Sequence, residues 1–198
     1  MTEEKLTRHQ LRRQRTREQL QEALLALVLE KGFDSIVIQE ITDRADLGRG
    51  TFYFHFKNKE DALWSIVEDR IHLTEDEVAE AFAGELPEKP EYYGYVNIFR
   101  HIEKNKNVYQ LIVGSKGSQG VANRAKQYLV EETIRDMENF DLYREIGQPP
   151  EITAQIVVGL LYGLAYWWIE TQNEYSVEDM AEIVYRTLHH QDPPRIDY

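Results

Sequence analysis

Positions 49–59 read Arg49-Gly50-Thr51-Phe52-Tyr53-Phe54-His55-Phe56-Lys57-Asn58-Lys59, a stretch in which cations and hydrogen-bond donors alternate with aromatic rings. Wound as a helix at about 100° per residue, Phe52 and Phe56 fall together with Leu47 toward a core. Arg49, Thr51, Tyr53, His55 and Lys57 are left largely elsewhere. Donors and cations of these types are what phosphate oxygens and the base edges of a major groove accept. On the residues alone other roles stay open: Tyr53 as a packing residue, His55 as an interhelical hydrogen-bond partner, Lys57 and Lys59 as solvated charges. Arg49 and Thr51 are the strongest contact candidates.

The elements around this stretch must hold it outward. Residues 38–55 divide into two short helices separated by a turn containing Gly48, the helix-turn-helix layout; in the first, Ile38, Ile41 and Ala45 share a face. Ahead of them, from Arg12 to Lys31, Leu20, Ala23, Leu24, Leu27 and Val28 recur at helical spacing, and Gly32 follows as a stop. Behind them Asn58 is a good N-cap, with Asp61 three positions later in an approximate capping box. The helix it opens is expected to run toward Phe82.

Charge decides whether such a surface is credible. The chain has 198 residues and a formal charge of −12, which taken whole argues against nucleic acid. Residues 1–70, however, hold 12 Lys+Arg against 13 Asp+Glu, and residues 71–198 hold 11 against 22. The acidity therefore lies in the second part, and the first 17 residues carry Lys5, Arg8, Arg12, Arg13, Arg15 and Arg17 against only Glu3 and Glu4. Phosphate contact and simple solvation compete as readings of that basic run. With no cysteine, a disulfide framework, a thiolate zinc site or an iron–sulfur cluster is excluded, and an intracellular, reducing home fits at least as well as a secreted one; a cytoplasmic location is expected. No secretory signal is visible. Residues 152–169 form an uncharged run at the lower edge of membrane-spanning length, but the flanks are acidic and Thr153 and Gln155 interrupt one end. A helix buried on nearly all sides by protein is expected instead, with no membrane partner.

Past a break at Pro87 and Pro90, helical patterns cover Tyr92 to Lys104 and Val108 to Val113. A polar linker, Gly114-Ser115-Lys116-Gly117-Ser118, precedes a helix from Val121 to about Phe140. Gly147-Gln148-Pro149-Pro150 ends that part, and Ser176 caps a last helix. The pattern predicts an all-α chain of about nine helices: an N-terminal helix-turn-helix three-helix DNA-binding bundle over residues 1–57 and a larger C-terminal helical domain over 58–198.

From Arg12 to Val67 the sequence resembles the TetR family of transcriptional regulators. The resemblance rests on the basic first helix, Lys31-Gly32-Phe33, Ile41-Thr42-Asp43-Arg44-Ala45, the run from Arg49 to Phe56, and Lys57-Asn58-Lys59-Glu60-Asp61. It implies that Thr51, Tyr53 and His55 lie at groove-facing or phosphate-contacting positions, and Lys59 where the DNA backbone is touched. Arg49, Gly50, Lys57, Gln39, Arg12 and Arg13 complete the expected DNA-facing set. Two departures stand out. Asp46-Leu47-Gly48 replaces the usual Gly-Val-Ser, which puts an Asp where φ > 0 is needed and removes a serine cap. Val37 stands where a Thr often caps the preceding helix and contacts a phosphate.

The resemblance also implies a dimer with an effector-binding body. Expected interface residues are Ile156, Gly159, Leu160 and Gly163 in the apolar helix and Val177, Met180, Val184 and Leu188 in the last, the alternative being that these stripes are core within one subunit. Phe99, Tyr109, Tyr128, Tyr162, Tyr166 and Trp167 are candidates to line an effector cavity, with ordinary core aromatics as the alternative. Glu131, Glu132 and Asp136 suit a cationic effector if they face it, or a solvated face if they do not. The expected function is a ligand-responsive, dimeric repressor of an operator in double-stranded DNA, released by a small molecule, without catalytic residues, cofactor or metal. A helical enzyme lacks support: there is no H-E-x-x-H, no cysteine nucleophile and no Gly-rich phosphate loop. A helical small-molecule-binding or protein-interaction module without DNA binding is the competing reading.

Overall fold

A computed structural model describes residues 7–71, 90–139, 148–171 and 173–189. Among these residues the chain forms nine α-helices and one 3-10 turn, with no strand.

Helix α1, Arg8–Lys31, begins four residues before the apolar stripe suggested. Thr7 supplies the reason: its hydroxyl accepts the Gln10 N–H at 3.3 Å, and the Gln10 side chain accepts the Thr7 N–H at 2.7 Å, a complete capping box. Only the second half of α1 buries its stripe, from Leu20 to Val28, so the basic first half projects. Gly32, at φ 80°, ends the helix in a conformation that favours glycine. After the 3-10 turn Phe33–Ser35 come α2, Ile38–Arg44; α3, Arg49–His55; and α4, Lys59–Glu68. Asn58 caps α4 by accepting the Asp61 N–H at 2.8 Å, as expected, but Asp61 reaches one residue further back, to the Lys57 N–H at 2.9 Å. The helix expected to run toward Phe82 closes at Glu68, where the Asp69 N–H returns to the Ser65 carbonyl at 3.2 Å; residues 72–89 lie outside the described residues.

The body consists of α5, Pro90–Lys104; α6, Lys106–Ile112; α7, Gln119–Asn139; α8, Pro150–Glu170; and α9, Val177–His189. Helix α9 packs on α5 and α8 on α7, while α6 and α7 reach α4, and α6 reaches α1. One buried cluster runs without interruption from Leu24, Val28 and Phe52 through Leu63 and Ile66 to Phe99, Leu111 and Met180. The head carrying α2 and α3 thus shares its core with the body.

Two expectations about the body change. Residues 114–118, read as a polar linker, dock onto the head: the Lys116 carbonyl accepts the Phe33 N–H at 2.8 Å, the Lys116 ammonium donates to the Leu29 carbonyl, and Ser118 Oγ donates to Glu60 Oε1 at 2.8 Å. Gly117 lies so close to the Leu111 carbonyl that an added Cβ would overlap it. Helix α8 is not enclosed on nearly all sides. It is long and apolar enough to cross a membrane by length and composition, yet only 28% of its most apolar window is buried. Thr153, Ala154, Val158, Ala165 and Ile169 turn inward, whereas Ile152, Ile156, Tyr166 and Trp167 are exposed.

Candidate nucleic-acid interface and effector cavity

The α3 surface follows from burial of one face. Phe52 and Phe56 are buried, and their rings meet at 5.6 Å between centroids. Leu47 packs against the same core. Arg49, Gly50, Tyr53 and Lys57 are exposed, and Thr51 and His55 partly so. No atom lies within 4 Å of where a Gly50 Cβ would stand, so nothing in the protomer requires glycine there.

The turn before α3 is held by backbone geometry: Asp46 takes φ 54°, the left-handed conformation that an Asp adopts less readily than Gly, and the Leu47 N–H returns to the Thr42 carbonyl at 2.9 Å. Gly48 opens α3 and Val37 opens α2, neither with a side-chain cap. At Val37 the Glu40 carboxylate compensates in part by accepting the Val37 N–H at 3.0 Å. Glu40 also pairs with Lys31, and Arg44 grips Glu30 through both guanidinium nitrogens at 2.7 and 2.6 Å, which fixes α2 to the end of α1. Those bonds hold the Glu30 and Glu40 carboxyls below the usual carboxylate range.

Helix α1 lends its basic half to the same surface. The Arg13 guanidinium lies over the Phe54 ring at 5.2 Å, and Arg17 over Phe56 at 5.7 Å while pairing with Asp69 at 3.1 Å. Arg12 is exposed, as is Gln39, whose amide is bonded to Asp43. His55, partly buried and facing Arg13 and Arg17, has its pKa lowered, first by desolvation and then by those two cations.

Lys59 behaves differently from the expectation for it. Its ammonium donates to the Phe33 and Ile36 carbonyls at 3.0 Å each and sits 4.3 Å from the centre of the Phe33 ring. It therefore ties α4 to the 3-10 turn. Sequence reading passed over Phe54, which is 67% exposed on α3. The signal was available, since position 54 lies two residues, about 200°, from the buried Phe52.

In the body a cavity of about 370 Å³ opens where α5, α6, α7 and α8 converge, next to Ile71 beyond α4. Tyr109, Tyr128 and Tyr162 line it, as expected; Tyr162 O–H donates to the Ile112 carbonyl, and burial raises its pKa. The other three expected lining residues stand elsewhere. Phe99 is wholly buried and packs edge-on against Trp168, while Tyr166 and Trp167 lie on the exposed side of α8. The lining residues that sequence reading did not place there include His101, Ile98 and Leu161. A wider hollow of about 680 Å³, between Glu103, Lys106 and Glu174, is open and of mixed charge.

For the expected interface, Ile156 is exposed, Gly159 and Leu160 are partly exposed, and Gly163 is exposed. An added Cβ at Gly159 or Gly163 meets nothing within 4 Å. Val177, Met180 and Val184 are instead buried in the protomer's own core, with Leu188 packed against it, because α9 lays its apolar stripe on α5. Val177, Met180 and Val184 are thus core residues of the protomer, the alternative named for this stripe, and Leu188 is partly buried at its edge.

Comparison with known proteins agrees with this architecture. Residues 20–63 match the family described as bacterial regulatory proteins, tetR family, and residues 92–190 match that described as transcriptional regulator C-terminal region. The chain belongs to the TetR family of transcriptional regulators. Its first domain is the helix-turn-helix DNA-binding domain of that family. The uncharacterized HTH-type transcriptional regulator YxbF of Bacillus subtilis is 42% identical over 55 residues, which take in 27% of this chain and 14% of that protein. Among solved structures, a TetR-family regulator from Syntrophomonas wolfei shares 22% identity over 88% of this chain and 93% of its own, with a TM-score of 0.67. NalD, the secondary repressor of the MexAB-OprM multidrug efflux pump in Pseudomonas aeruginosa, shares 18% identity over 90% and 96%, with a TM-score of 0.69.

Proposed function

We propose that this protein is a cytoplasmic repressor that binds an operator as a homodimer and leaves it when a small molecule enters the cavity between α5, α6, α7 and α8. The observation that carries the reading is the split of α3: Phe52 and Phe56 lock it to the core while Arg49, Thr51, Tyr53 and Lys57 stand free beside the basic half of α1. One such helix makes few contacts; a two-fold dimer would read two half-sites about 34–36 Å apart or a multiple of that. The exposed apolar side of α8 around Ile156, Gly159 and Gly163 is the surface proposed for pairing. The solved repressor of similar fold supports repression over activation.

Release requires that the cavity speak to α3. His101 Nε2 donates to the Arg70 carbonyl at 2.9 Å, at the end of α4, and Ile71 itself lines the cavity. One residue earlier, Asp69 accepts from Gln21 at 2.7 Å and pairs with Arg17 of α1. A ligand that favours one placement of this junction shifts the population of DNA-competent dimers.

The test is a gel shift with duplex DNA from upstream of the protein's own coding sequence at two salt concentrations. Thr51→Ala and Tyr53→Ala are each expected to weaken binding by about 1–3 kcal/mol, with unchanged melting of the protein. Wild-type affinity in both variants would reject α3 as the reading helix, and no salt-dependent binding at all would favour the helical module without DNA binding.

A further inference from the structure

The cavity is apolar over most of its wall, yet α7 turns two carboxylates, Glu132 and Asp136, to its edge one helical turn apart. None of its lining residues is a lysine or arginine, and its imidazole, His101, is committed through Nε2–H to the Arg70 carbonyl. Glu132 is paired with Arg135, whose side chain is 61% exposed. Among the described residues Asp136 forms no ion pair. Tyr109, Tyr128 and Tyr162 line the same space. Aromatic walls, an Asp136 without an ion pair and a Glu132 neutralised only by an exposed arginine together favour a ligand with apolar bulk and a positive charge over one with a negative charge.

We infer that the cavity takes a lipophilic organic cation, held by Glu132 and Asp136 at its edge and by Tyr128 and Tyr162 within. The inference rests on the reading of this cavity as the effector site and supplies the chemical class of the effector. On binding, the cation displaces Arg135 from Glu132 into solvent and gives Asp136 the counter-charge it lacks.

Tetraphenylphosphonium and tetraphenylborate, which match in shape and differ in sign, provide the test by isothermal titration calorimetry on the full chain. The cation is expected to bind at least about tenfold more tightly than the anion, one screened charge pair in a partly dry site being worth that much. The doubly neutralised variant, Glu132→Gln with Asp136→Asn, is expected to lose that preference. Equal binding of the two ions by the wild type overturns the inference whether or not the variant folds, as does an unchanged preference in a variant whose melting curve is normal. Release of the protein from DNA is a separate arm. A cation that binds in the cavity yet leaves the DNA complex intact overturns the effector role and not the ligand class; release by an apolar neutral compound with no response to the cation overturns the ligand class and not the effector role.

Discussion

Val37 leaves the first turn of α2 without a side-chain acceptor, and the Glu40 carboxylate covers only the Val37 N–H itself. Val37 is 58% exposed, so a threonine hydroxyl can replace a methyl group there without disturbing the core. Val37→Thr is therefore expected to stabilise the protein by about 1 kcal/mol in urea denaturation, and an unchanged midpoint would show that α2 is not limited by its cap. His55 yields a pH dependence. Desolvation and the two arginines depress its pKa, so the free protein keeps the ring neutral until the pH falls below the ordinary histidine range near about 6.5 and loses stability as it falls further. A phosphate beside the ring favours the charged form, so operator affinity should rise as the pH drops through that window, and the rise should vanish in His55→Gln. At this scale the sequence was legible wherever a residue's own backbone dictates its role: Asp46 was expected at positive φ and takes it. Lys59 was not legible, because the three carbonyls around its ammonium are backbone atoms brought there by the 3-10 turn, and no side-chain pattern announces them.

Helices α4 and α1 and the 113–118 loop form the seam through which body and head communicate. Gly117 is required there by close approach to the Leu111 carbonyl and not by its dihedral angles. Gly117→Ala is expected to push the loop off the head, breaking the Lys116–Phe33 and Ser118–Glu60 bonds. The expected result is a lower melting temperature together with a weakened effect of ligand on DNA release; full retention of both would make the loop a passive connection. Apolar stripes at period 3.6 revealed nearly every helix, since that signal is local to each segment. The docking loop escaped because Gly, Ser and Lys compose solvated linkers and backbone-bonded loops alike. The early closing of α4 escaped too, since the chain stays helix-compatible beyond Glu68.

At the scale of the molecule, an apolar stripe announces that something covers it without saying what. That is why the stripes of α8 and α9 read alike in sequence and differ in the structure: α5 covers α9, whereas Ile152, Ile156 and Trp167 of α8 face outward. Gly159→Glu separates the possibilities cleanly, because nothing within the protomer meets the added Cβ. It is expected to yield a folded monomer by analytical ultracentrifugation, with operator affinity falling as the second half-site is lost; a persistent dimer would move the interface elsewhere. The shared core has a consequence for anyone who would recombine such regulators. A cut between Lys57 and Asn58 passes between Phe56, which packs in that core, and Leu63 and Ile66, which close it from α4. A chimera that grafts this reading head onto a foreign sensor must therefore carry α4 with it and preserve a receiving surface for Phe33 and Glu60. For this chain, what limits such an exchange is that joint, and not the length of chain on the α3 surface.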